Sequence, residues 1–165
     1  MSVSVGLEPL LGYSDRERRK WRDWVAADPA RLDIIVQPGA RFPSVWALLD
    51  HVFFVERRHL SRLEGGALPE QTGIPPGDWK RLFEYGDLVR ADFRRYVEDL
   101  DDRTASETIT FVPLGGGTIT MTRRRLLTHV VLHEVRHLAQ LALAARVAGV
   151  EPPGEHDLFY FAEFA

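Results

Sequence analysis

Apolar positions recur at helical spacing in four long stretches of the chain, and alternate with polar ones in a single short stretch. The first helix is expected over residues 7–27, with Leu10, Leu11, Trp21, Trp24 and Val25 on one face. Asp15 to Lys20 reads as its solvated flank, and Ser14 followed by Glu17 resembles a capping box, an alternative start. Asp28-Pro29 ends the helix, because proline disfavours helical geometry in the residue before it. In the connection 29–42, Ile34, Ile35 and Val36 are apolar enough to be expected against the bundle. A second helix is expected over 44–63, capped by Ser44 and stopped by Gly65-Gly66, with Ala47, Leu48, His51, Phe54, Val55 and Arg58 as its buried stripe.

The polar segment 64–77 is long enough for the second and third helices to run in the same direction. The third helix is expected over 78–100, capped by Asp78, with Trp79, Leu82, Leu88, Phe93 and Tyr96 inward. Glu98, Asp99, Asp101 and Asp102 near its end read as a solvated acidic turn. Residues 107–121 carry two β-branched alternating runs around Gly115-Gly116-Gly117, the pattern of a small hairpin. No helix follows the glycines at once and no P-loop lysine is present, which argues against a phosphate cradle. The fourth helix is expected over 122–148, capped by Thr122, with Arg123-Arg124-Arg125 splayed into solvent or touching an acidic substrate. After Pro152-Pro153-Gly154, the aromatic tail 157–165 is expected to dock. The fold class is all-α: a four-helix bundle with a small β-hairpin insert before the last helix, in one domain over 1–165.

Composition narrows the chemistry. With 45% hydrophobic and 27% charged residues, the 165-residue chain has the make-up of a globular domain able to bury its own core. A net charge of −3 gives no reason to expect nucleic acid or a membrane surface as a partner. The absence of cysteine excludes disulfides, thiolate nucleophiles and cysteine zinc sites. No signal peptide or membrane span is visible, so a cytoplasmic location is expected.

Three of the six histidines fall within residues 129–137. His133 and His137 are four apart, so on a helix their side chains lie one above the other, roughly 5–6 Å apart at Cβ. They can point two imidazoles at one divalent transition metal. His51 sits where a bundle interior normally takes a leucine, and opposite that pair it becomes the natural third ligand. His59 is rotated about 80° from it by helix geometry and reads as flank.

The segments Leu49-Asp50-His51-Val52-Phe53-Phe54-Val55-Glu56-Arg57 and Leu132-His133-Glu134-Val135-Arg136-His137-Leu138-Ala139-Gln140-Leu141 resemble the DinB/YfiT-like superfamily. So do the hairpin before the last helix and the tail from Pro152 to Phe161. The resemblance implies an up-down-down-up bundle and a divalent metal, zinc or nickel before iron or copper, held by His51, His133 and His137. Where many members have His-Arg-Gly-Gln, this chain has His137-Leu138-Ala139-Gln140. His129 matches a histidine not usually counted as a ligand, and Glu56 an acidic position suited to anchoring a histidine or an arginine. Characterised relatives include thiol-dependent transferases and isomerases that use bacillithiol or mycothiol. The resemblance therefore implies a metal-dependent transferase or hydrolase acting on a small-molecule thiol or a water, in a chain that pairs as a homodimer. Trp46 and Arg58 are the expected lining of the opening.

Two other readings fit the residues. His133-Glu134-Val135-Arg136-His137 is literally H-E-x-x-H, the zinc metallopeptidase signature, with Glu134 as general base. That reading needs a downstream ligand, for which Glu151, Glu155 and His156 are available. A non-catalytic metal-binding bundle or dimeric interaction protein is the other, since no second catalytic group accompanies the histidines.

Overall fold

Side-chain caps start three of the four long helices. The computed structural model of the chain describes residues 6–113 and 115–161. Its helices are α1 (Leu7–Ala27), α2 (Val45–Glu64), α3 (Trp79–Glu98), a single turn α4 (Asp102–Ser106) and α5 (Arg123–Val147). Ser44 Oγ accepts from the Ala47 amide, an Asp78 carboxylate oxygen from that of Arg81, and Thr122 Oγ1 from that of Arg125. Each bond satisfies a donor that the first helical turn leaves without a partner. Gly65, at φ 71°, ends α2 in the left-handed conformation that glycine adopts without strain. α1 starts at Leu7, and Ser14 is a buried mid-helix residue rather than a cap. α4 lies in the expected acidic turn, where the Asp101 carboxylate accepts from the Thr104 amide at 2.7 Å.

Cross-helix pairs define the helix directions. Arg22 pairs with Asp87 while Glu8 pairs with Arg94, so α1 and α3 are antiparallel. Phe53 meets Phe83, Glu56 meets Arg90 and Arg57 meets Asp92, so α2 and α3 run parallel. His51 lies against His137 and His59 against His129, which makes α2 and α5 antiparallel. The arrangement is up-down-down-up, and the crossover after Gly65 carries the parallel connection.

Strands β1 (Thr108–Phe111) and β2 (Ile119–Thr122) pair antiparallel, with Thr108 opposite Thr122 and Phe111 opposite Ile119. Gly116 and Gly117 take positive φ in the turn. Ile109, Phe111 and Met121 pack on the end of the core nearest the start of α5.

The core has two apolar parts. Trp21, Leu49, Phe53, Leu82 and Leu141 belong to one, and Leu11, Leu60, Phe93, Leu126 and Val130 to the other. Between them every long helix contributes one charged residue to a shared buried cluster: Arg18 from α1, Glu56 from α2, Arg90 from α3 and Glu134 from α5. Arg18 donates to both glutamates and, at 2.9 Å, to the Gly86 carbonyl. Arg90 donates to Glu56 at 2.7 Å and to Glu134 at 2.5 Å, and Ser14 Oγ donates to Glu134 at 2.5 Å. Two cations and two anions with every oxygen engaged form the arrangement in which buried charge is tolerated.

Several expectations change here. Glu17 and Arg18 are 2% and 4% exposed, so the run from Asp15 to Lys20 is not a solvated flank; its middle two residues are buried. The buried face of α2 is Val45, Leu49, Val52, Phe53, Glu56, Leu60 and Leu63, rotated from the expected stripe. Of that stripe Leu48 is buried, while Ala47, His51, Phe54, Val55 and Arg58 are half-buried. Ile34 and Val36 pack on the core but Ile35 is exposed, and Leu88 points to solvent at 69% exposure. Arg123 does not splay outward: it donates to the Leu63 carbonyl at 2.7 Å and the Tyr96 hydroxyl at 2.9 Å.

The tail docks on α1. Trp24 Nε1 donates to the Glu151 carbonyl, Tyr13 Oη to the His156 carbonyl, and Phe161 packs edge-on to Tyr13. The aromatic tail continues to Phe164, and residues 162–165 lie outside the described residues.

Candidate metal centre

Capping and burial aim the three expected histidines at one point. His133 and His137 stand on successive turns of α5, 9% and 8% exposed, and His51 faces them from the half-exposed edge of α2. One nitrogen of each imidazole lies within 4.8 Å of the others. His133 Nε2 and His137 Nε2 are 3.1 Å apart. Two imidazole nitrogens bound to one ion at about 2.0–2.1 Å sit roughly 2.9–3.4 Å apart at tetrahedral or octahedral angles, so the pair fits a shared ion.

Protonation favours the same use. Burial, then His137, Arg41 and Arg136, push the His51 imidazole down to about 4. Burial and the neighbouring histidines push His133 down to about 2, and burial also lowers His137. All three are neutral at pH 7 and offer lone pairs. His137 Nδ1 lies 2.6 Å from Gln140 Oε1, so its proton resides on Nδ1 and Nε2 turns its lone pair to the centre. The His51 ring is held by Phe42, stacked at 3.8 Å with an interplanar angle of 23°.

His59 is buried, not a flank, because the hairpin covers it: Phe111 lies 6.0 Å from its ring, and Arg62 Nη1 is 3.2 Å from its Nδ1. His129 is exposed, with its ring 5.7 Å from that of His133. Neither joins the convergent group.

Glu134 is turned into the core. Arg18, Arg90 and Ser14 occupy both of its oxygens and it is 2% exposed, which removes the general base an H-E-x-x-H peptidase requires. His156 is bound to Glu17 on α1, and among the described residues only His51 joins His133 and His137. Glu56 serves the arginine branch of its expectation, holding Arg18 and Arg90.

A cleft of about 340 Å³ opens beside the histidines, with His137 and Gln140 in its wall. Trp46 and Arg58 do not line it: Trp46 packs on the core, and Arg58 donates to the Pro69 carbonyl at 2.9 Å. Arg41 and Phe42 take that place. Sequence reasoning missed them because they lie in an irregular connection, where no periodicity assigns a face. Their adjacency to the cap of the helix that carries His51 was the available signal.

No helix among the described residues is long and apolar enough to cross a membrane. No curated protein matches the chain. A crystal structure from Enterococcus faecalis, titled as the conserved protein of locus, is similar at TM-score 0.64 and 16% identity. The similarity covers 88% of this chain and 98% of that one, and it concerns the fold. The family model described as DinB family matches residues 1–163, a span that takes in the bundle, the hairpin and all three convergent histidines, and the chain belongs to that family.

Proposed function

We propose that this chain is a metal-dependent enzyme in which His51, His133 and His137 hold one divalent transition ion, zinc or nickel, and that its substrate is a small-molecule thiol, with a water molecule as the alternative nucleophile. The observation that carries the reading is the convergence of three neutral imidazoles beside an open cleft. An all-imidazole donor set suits zinc, nickel, copper or iron, and three protein ligands leave a position for an exogenous group, as catalytic rather than structural sites do. A divalent ion there supplies Lewis acidity to a thiol or water entering from the cleft. The residues of the chain do the remainder. Gln140 fixes the His137 tautomer, Phe42 fixes the His51 ring, and the buried charges orient α5.

Elemental analysis of tag-free protein, beside His51→Ala and His137→Ala, tests the assignment. Near-stoichiometric metal in the parent, lost in both variants with helicity retained, supports it and justifies a thiol-substrate screen. Metal retained in His51→Ala overturns the three-histidine centre.

A further inference from the structure

The cleft beside the histidines has a consistent chemistry of its own. Ile35, Val36, Leu48, Leu143, Ala144 and Val147 supply its apolar lining, and Gln37, Arg41, His137 and Gln140 its polar lining. Ile35, Leu143 and Val147 are 54%, 63% and 81% exposed, more apolar surface than packing requires. His137 and Gln140 share the lining with them. Arg41 is the single formally charged residue of the lining, and among the described residues no carboxylate pairs with it. Its guanidinium lies 5.4 Å from the Phe42 ring, the same ring that stacks on His51.

The loop that carries Arg41 is tied down at its base. Val36 N donates to the Pro43 carbonyl at 2.8 Å, Val45 N to the Ile34 carbonyl at 3.0 Å, and Ile35 bridges Ser44. A cation on a braced loop, in the wall of a cleft that joins aliphatic side chains to His137 and Gln140, is complementary to one kind of ligand.

We infer that the cleft binds a small organic anion with a short apolar body: the anionic head on Arg41, the body between Ile35 and the Leu143–Val147 side of α5, and the far end toward His137. The inference rests on the proposed function for what happens at the histidines, and it supplies the substrate class. Arginine suits either a carboxylate or a phosphate head through its planar array of donors. A volume of about 340 Å³ accommodates a small metabolite rather than a peptide or a long acyl chain.

The test titrates the zinc-reconstituted full chain with hexanoate, hexyl phosphate and 1-hexanol, followed by amide chemical shifts and calorimetry, with zinc content measured in the same samples. Shifts are expected at Arg41, Gln140, Leu143 and Val147. Arg41→Gln is expected to weaken the tighter anion about tenfold, the effect of losing one charge-assisted contact, and to leave hexanol unchanged. Arg41→Lys is expected to restore part of the loss. Whichever anion binds more tightly identifies the head group. Shifts centred elsewhere, no shifts up to the solubility limit, or anion binding that Arg41→Gln leaves intact overturn the inference. Anion binding that depends on Arg41 in protein without zinc upholds the cleft while sinking the metal reading; full zinc with no Arg41 dependence does the reverse.

Discussion

His137 presents Nδ1 to Gln140 Oε1 at 2.6 Å and, from the other side of the same ring, Nε2 to the centre of the histidine cluster. The glutamine is one turn along α5 from the ring it orients and belongs to the wall of the cleft. Partners of this kind typically contribute 10–100-fold to metal affinity. Gln140→Ala is therefore expected to weaken zinc binding by about that factor with helicity unchanged. Competition against a chromophoric chelator reads it directly, and an unchanged affinity would remove the role assigned to Gln140.

The histidines also set a pH dependence. Burial leads the effects that hold His51 at about 4 and His133 at about 2, against an ordinary value of 6.5. Below pH 6.5 the unfolded chain takes up protons that the folded protein does not, so the stability of the metal-free protein declines as pH falls from 6.5 toward these lower values. Protons on His51 and His133 do not compete at neutral pH, and zinc affinity is expected to fall less steeply around pH 6.5 than three ordinary histidines would give, then further as pH approaches 4. A drop around pH 6.5 as steep as three competing protons produce would contradict the neutral, buried site.

Glu134 makes a second acid window. Burial alone would raise its carboxyl, but Arg18 and Arg90 outweigh burial and hold it at about 2, against an ordinary 4.5. The contribution of such a group is complete above pH 4.5 and is lost as pH falls through about 2. Glu134→Gln is expected to cost roughly 3–5 kcal/mol at pH 7, because it leaves buried cations uncompensated, and to flatten the stability profile between those two pH values. Denaturant melts at several pH values measure both. A peptidase base would instead lose activity while the fold kept its stability.

Gly86 gives a test with an inverted sign. Alanine in place of glycine inside a helix ordinarily stabilises by about 1 kcal/mol. Here a Cβ would meet the Phe53 ring at 2.9 Å, with the Gly86 carbonyl engaged by Arg18. Gly86→Ala is expected to destabilise by about 1–3 kcal/mol through overpacking. A raised melting temperature would show that Phe53 can yield.

The helices, their caps, the hairpin and the pairing of His133 with His137 on one face were legible in the sequence because each rests on local chemistry. Ser44, Asp78 and Thr122 cap where residues of their type cap, and His133 and His137 share a face at any helical phase. The buried face of α2 was less legible. Glu56 lies inside, where polarity argued for outside, while His51 and Arg58 lie at the edge. The same inversion hid Arg18: a run of six charged residues gives no sign that one arginine meets two glutamates contributed by distant helices. Pairing of this sort is a property of tertiary structure, and no single segment displays it.

Arg18, Glu56, Arg90 and Glu134 come one from each long helix, and this has a consequence for the histidines. Advancing any one helix by a turn, about 5.4 Å, would strand an ion against leucine or phenylalanine. The quartet therefore acts as a key that admits one alignment of the bundle. Glu134 follows His133 directly in the chain, so the key that sets the height and rotation of α5 also points its imidazoles at His51. The glutamate that imitates a peptidase motif works as the alignment pin of the centre it adjoins.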